Sequence, residues 1–177
     1  RLLSRGLGDV YKRQVEGIPR SVVLPLLERI KDWQTPAEYL DHLASLPLGP
    51  NVACMVGHST LRAATMGIGR ALDGGVRPTQ AELDGMSDTL RSALHAGYLG
   101  LSINTLPWDK MDGDTHRSKP TPSVFARWSE YRHLARVLRA EGRVFQGVPN
   151  LRTKWNVALF LLETAGLFRP SLKTTLI

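Results

Sequence analysis

A single cysteine, Cys54, leaves this 177-residue chain no internal disulfide and gives no indication of a redox compartment. No stretch approaches the roughly 20 consecutive apolar residues that a membrane helix requires. No secretory signal is visible, because the first apolar residues are followed directly by charged ones. The sequence also lacks an HExxH motif, a phosphate-binding glycine loop and a CxxC pair, which sets aside the commonest zinc-protease, nucleotide and redox signatures. What remains is an ordinary globular composition, 42% hydrophobic and 22% charged, expected to be cytoplasmic and long enough for one sizeable core.

The net charge of +7 raises nucleic-acid binding as an option. The excess is uneven: residues 1–14 hold Arg1, Arg5, Lys12 and Arg13 against Asp9, so that +3 sits in the tail and +4 in the other 163 residues. The remaining basic residues are scattered beside acidic ones on helix-like stretches, the pattern of a solvated surface. No nucleic-acid or membrane partner is therefore expected.

Residues 1–14 have no sustained period of 3.6 or 2, and the character changes at Val15. They read as a non-native or disordered tail, the alternative being a genuine basic arm. The domain proper is expected over 15–177. Ser171–Ile177 reads as a strand ending at the last residue, which suggests truncation.

From Thr35 onward the pattern is regular. Thr35-Pro36-Ala37-Glu38 is a capping box with Pro at the first helical position, predicting a helix to about Leu46. Asn51–Gly57 is a short apolar run, a buried strand. Thr79-Gln80-Ala81-Glu82 is a second capping box, followed by Leu83, Met86, Leu90 and Leu94 at helical spacing and a stop at Gly97. Tyr98–Asn104 reads as a strand, then a long polar loop through Pro122, and a helix capped by Ser123 running to Glu141. Arg143–Pro149 is a third strand, a helix follows through Ala165, and the last strand closes the series.

Strands alternating with helices imply parallel pairing, in an open doubly wound sheet or a closed eightfold barrel. The faces favour the barrel. Leu99, Leu101 and Ile103 point one way, while Gly100, Ser102 and Asn104 point the other, giving a small, polar second face that suits a lumen. The expected fold is α/β, a partial (β/α)8 barrel with about half to two-thirds of the wall present. By the same parity Val52, Cys54, Val56 and His58 share a face, with His58 at the strand's C-terminal end.

Four stretches occur in a telling order. They are Val15-Glu16-Gly17-Ile18-Pro19, then Trp33 with Thr35-Pro36-Ala37-Glu38-Tyr39-Leu40, then Val56-Gly57-His58-Ser59-Thr60-Leu61-Arg62, then Ala96-Gly97-Tyr98-Leu99-Gly100-Leu101-Ser102. As an ordered set, covering most of residues 15–150, they resemble the D-aminoacylase branch of the amidohydrolases. The resemblance implies a metal-dependent hydrolase acting on a small molecule, the amide of an N-acyl-D-amino acid, with zinc lowering the pKa of its bound water. It also implies that the His-x-His pair and ligand Cys lie upstream of this region and the catalytic Asp downstream. One departure stands out. Where the family carries Thr-His-x-Arg, the strand Val144–Asn150 has no histidine; Gln146 and Asn150 can hydrogen-bond a substrate but are poor zinc ligands.

The candidate substrate-side residues are His58, Ser59, Arg62, Asn104, Trp108, Gln146 and Asn150; no catalytic residue and no metal ligand is assigned. His58 would contact a substrate carboxylate or sit near the metal, or else be a hydrogen-bonded residue buried at the barrel mouth. Arg62 would bind a carboxylate bidentately or be a surface helix residue. Cys54 reads as core. Asp109, Asp112 and Asp114 cluster without the spacing of a calcium loop, in a segment that, with Trp108, reads as a lid. His42, His95, His116 and His133 read as surface residues. The leading function is an amidohydrolase fragment inactive by itself; the alternatives are a ligand-binding barrel of the same family without the usual zinc chemistry, and a basic nucleic-acid-binding domain.

Overall fold

The computed structural model describes residues 20–111, 115–166 and 170–177. The expected tail over 1–14, the stretch Val15–Pro19, and Asp112 and Asp114 lie outside them. In chain order the elements are α1 (Arg20–Ile30), α2 (Pro36–Ser45), β1 (Met55–Gly57), α3 (His58–Met66), α4 (Ile68–Ala71), α5 (Gln80–Ala96), β2 (Gly100–Asn104), a 3₁₀ turn (Pro122–Phe125), α6 (Trp128–Ala140), β3 (Val144–Val148), α7 (Lys154–Thr164) and β4 (Thr174–Leu176).

Both capping boxes form. Thr35 Oγ1 accepts from the Glu38 N–H at 3.2 Å, and the Glu38 carboxylate accepts from the Thr35 N–H at 3.0 Å. Thr79 and Glu82 repeat the arrangement at 3.2 and 2.8 Å. Each N-cap is worth about 1 kcal/mol to its helix. Beyond the second box, Met86, Leu90, Ala93 and Leu94 form the buried stripe of α5, and Gly97 ends the helix at φ 121°, a conformation glycine adopts without a Cβ penalty.

The four strands are all parallel and lie in sequential order, β1-β2-β3-β4. A doubly wound sheet reverses its strand order and carries helices on both faces. Here the order never reverses, and Leu101, Ile103 and Phe145 of the sheet share one core with Met86, Leu90 and Leu94 of α5, Leu134 and Leu138 of α6, and Phe160 of α7. The helices thus cover one face, and the fold is α/β, a barrel wall of four strands. At Gly147 the β3 backbone makes room for this layer: a Cβ there would lie 2.6 Å from Phe160 Cδ1, and Phe160 is itself fully buried.

Three local expectations are corrected. The strand read over Asn51–Gly57 is shorter: its ladder with β2 starts at Met55, preceded by one backbone bond from the Leu99 N–H to the Cys54 carbonyl at 2.8 Å, and Val52 is exposed. His58, read as the C-terminal end of the first strand, is instead the first residue of α3, with Gly57 at the N-cap. Ser123 caps no helix: it lies in the 3₁₀ turn, and α6 begins later, with Arg127 at the N-cap. The Ser123 side chain is drawn instead toward His58 and Ser59.

Candidate functional site

The seven candidate residues fall into two groups on opposite faces of the sheet. Register decides the division. Val56 pairs with Leu101, and Ser102 pairs with Gln146. Paired residues in a parallel sheet project to the same side. Leu101 is in the helix-facing core, so Val56 and Cys54 face the helices, whereas Ser102, Asn104 and Gln146 line the opposite, polar face.

His58, Ser59 and Arg62 open α3 and belong to the helix layer. His58 and Arg62 are both 0% exposed, and Arg62 is the largest fully buried side chain among the described residues. Their charge partner is Glu130 of α6, which is 2% exposed. The Arg62 guanidinium is paired with one Glu130 oxygen, and His58 Nε2 lies 3.0 Å from the other, without the geometry of a hydrogen bond. Arg62 also donates to the Ala71 carbonyl at 3.3 Å. On its other side His58 Nδ1 is 2.9 Å from Ser123 Oγ, which is 2.7 Å from Ser59 Oγ; Ser59 Oγ accepts from the Ser123 N–H at 3.0 Å. The Tyr131 hydroxyl donates to the Ser123 carbonyl, and its ring meets His58 edge-on at 4.8 Å between centroids.

Burial pushes the Glu130 carboxyl up, but His58 and Arg62 more than offset this and hold it below the ordinary carboxylate value. Burial, with Glu130 beside it, pushes the Tyr131 phenol up. The order Glu130–His58–Ser123 copies an acid–imidazole–hydroxyl relay. Ser123, however, is only 1% exposed, so its hydroxyl meets neither water nor substrate. Chemically the cluster is a sealed charge network that ties α3 to α6 and the 3₁₀ turn.

Asn104, Trp108, Gln146 and Asn150 gather at the C-terminal ends of β2 and β3. Ser102 Oγ donates to Gln146 Oε1 at 2.7 Å, and the Gln146 amide nitrogen has no hydrogen-bond partner among the described residues. Asn104 Oδ1 accepts from the Leu106 N–H at 2.9 Å, an Asx turn that ends the strand, while its amide donates to Asp109. Asn150 makes the matching turn on β3, accepting from the Arg152 N–H at 3.1 Å. Its own N–H reaches Thr105 Oγ1 at 3.0 Å and Asn156 Oδ1 at 2.8 Å, pinning the two strand ends together. Trp108 stacks beneath the Arg152 guanidinium at 5.2 Å and is about half exposed. The loop read as a lid is anchored below Trp108: Met111 is buried against Ala63, Ala71 and Leu72.

The mouth therefore offers neutral amide donors and acceptors, one carboxylate already bonded to Asn104, and a cation held over an indole. These groups can bind and orient a polar ligand; they do not fit a zinc site, which takes imidazole, thiolate or free carboxylate. Among the described residues no three His, Cys, Asp or Glu side chains come together to hold a metal ion. Sequence reasoning missed Glu130. Its signal was there, an acidic residue at 130 on the same helical stripe as Leu134 and Leu138, both fully buried.

A parallel barrel wall with a polar C-terminal mouth is the class these features define. No family model matches the chain. An uncharacterised protein of Mycobacterium tuberculosis H37Rv is 46% identical over 165 residues, covering 93% of this chain and 27% of that protein. A D-aminoacylase of Alcaligenes xylosoxydans xylosoxydans is 45% identical over 67 residues, 37% of this chain and 13% of its own length. Among solved structures, the zinc- and phosphonate-bound N-acyl-D-glutamate deacylase of Bordetella bronchiseptica superposes with a TM-score of 0.58 at 28% identity, over 79% of this chain and 26% of that one. A D-aminoacylase structure gives 0.54 at 29% identity, over 73% and 23%. In sequence and in fold the chain is thus similar to D-aminoacylases and to an N-acyl-D-glutamate deacylase. The chain spans about a quarter of the length of the mycobacterial relative and of these solved chains.

Proposed function

We propose that residues 15–177 form part of the barrel domain of an amidohydrolase that cleaves the amide of N-acyl-D-amino acids or related compounds. The observation that carries this reading is the pairing of a sequential parallel sheet with a polar face and mouth, in a chain similar to an N-acyl-D-glutamate deacylase and to D-aminoacylases. Gln146, Asn104 and Asn150 would hold the polar part of the substrate. The exposed indole of Trp108, fixed by Arg152, would cover it from the loop side. His58, Ser59 and Arg62 would act from behind the sheet, setting where the end of β1 and the start of α3 lie. A metal in such an enzyme would polarise the acyl carbonyl and activate water; its ligands would come from outside the described residues.

The mouth also favours a second reading, a barrel that binds the same kind of ligand without zinc chemistry, because Gln146 and Asn150 stand where a histidine was expected. Amide hydrolysis and metal content, measured on a polypeptide of the relatives' length that carries this segment, separate the two. The first reading expects stoichiometric metal and release of free D-amino acid. Absence of both would leave only the second.

A further inference from the structure

The helix layer contains a concavity that neither the polar mouth nor the His58 network explains. Residues 76–78, α5 and the first turns of α6 enclose about 320 Å³. Four arginines line it, Arg62, Arg77, Arg127 and Arg136, against one carboxylate, Glu130. Glu130 is consumed on the inner wall by Arg62 and His58. Arg77, Arg127 and Arg136 have no acidic partner among the described residues, in contrast to Arg70, Arg91 and Arg139, which pair with Glu82, Asp88 and Glu163. Like charges converging on one hollow repel one another, and an anion between them relieves that cost.

Two further features suit an occupant. Arg136 is held in place: its guanidinium donates to His133 Nδ1 at 3.1 Å, and His133 Nε2 contacts Ser87 Oγ at 2.9 Å. Ser87 Oγ spends its own proton on the Leu83 carbonyl at 2.9 Å, so Nε2 must be the donor and Nδ1 the acceptor. The first-turn N–H groups of α6, a 13-residue helix, receive no side-chain cap from Arg127, which leaves positive dipole at the same end. Val76, Pro78 and Leu83 supply an apolar wall.

We propose that this hollow binds a small phosphate-bearing molecule, with Arg77, Arg127 and Arg136 around the phosphate and the apolar wall against its organic part. Each guanidinium offers five donors in a fork matched to phosphate oxygens, and three of them suit a dianion better than a carboxylate. The site lies on the helix side of the sheet, so it stands or falls separately from amide hydrolysis at the mouth.

Titration calorimetry on the whole chain at low ionic strength tests it, with inorganic phosphate, phenyl phosphate and acetate as probes. Expected are one saturable site for phosphate, tighter binding of phenyl phosphate, and far weaker binding of acetate. Arg127→Gln and Arg136→Gln should each weaken phosphate by about tenfold or more, the loss of a charged hydrogen bond. Both side chains are exposed, so circular dichroism and melting should stay unchanged. Arg29→Gln on α1 should change nothing. Acetate binding as well as phosphate, equal losses in Arg29→Gln, or no saturation would overturn the proposal. So would a single-stranded oligonucleotide that outcompetes phenyl phosphate, since that would make the hollow part of a polynucleotide surface.

Discussion

Arg62 and Glu130, 68 positions apart, meet as an ion pair in which neither side chain reaches solvent. The pair joins the helix that follows β1 to the helix that precedes β3. Two charges removed from water are costly unless each has its partners, so deleting one leaves the other stranded. Glu130→Gln should therefore lower stability by about 3–5 kcal/mol, measured by urea unfolding. Arg62→Met combined with Glu130→Gln should cost less than the sum of the single changes, because the partners are coupled. Strict additivity would contradict direct pairing.

The same contact predicts a pH dependence. The folded-state carboxyl of Glu130 is held below its ordinary value of 4.5 by His58 and Arg62. Its stabilising contribution is then fully present above the unfolded-state value and is lost as pH falls through the lower, folded one. The stability difference between the native chain and Glu130→Gln should hold steady near neutrality and shrink below about pH 4. Unfolding midpoints measured from pH 7 to pH 3 check this; a constant difference over the whole range would contradict it.

Gly147 tests the packing of the helix layer on the sheet. A methyl group at this position meets the fully buried Phe160 ring, and Leu176 Cδ2 lies only 3.1 Å away. Gly147→Ala should destabilise by about 1–3 kcal/mol, the usual cost of overpacking. Phe160→Leu in the same chain should recover part of that loss. Thermal melts of the single and double variants give the answer, and an Ala variant as stable as the native chain would show the ring to be movable.

How much of this was legible beforehand followed the range of the interactions. The Thr35/Glu38 and Thr79/Glu82 boxes involve residues three apart, and both helices begin where the sequence places them. The alternation of Leu101 and Ile103 with Ser102 and Asn104 likewise gave the two faces of β2. Cys54, Val56 and His58 do lie on one side, but it is the helix side, and His58 opens α3 where it was read as the end of a strand at the mouth. The environment of Arg62 depends on Glu130, and that of His58 on Ser123, 65 residues further along. No local pattern encodes such pairs.

At the mouth, Asn104 and Asn150 each close a turn as well as facing the proposed ligand. Gln146 closes no such turn, and its amide nitrogen has no hydrogen-bond partner among the described residues, so it best separates binding from structure. In an active polypeptide carrying this segment, Gln146→Ala should raise KM with little change in kcat or in thermal stability, the signature of binding equal in ground and transition states. A fall in kcat at unchanged KM would place Gln146 at the reacting atoms instead.

The most direct test is the hydrolysis of N-acetyl-D-amino acids, measured beside metal content, for the 177-residue chain and for a polypeptide of its relatives' length carrying the same segment. The chain itself, whose described residues hold no complete metal site, should give negligible turnover. The longer polypeptide should contain stoichiometric metal, release free D-amino acid and lose that activity to a chelator. Clear turnover by the 177-residue chain, or a longer polypeptide with neither metal nor amide cleavage, would contradict the account.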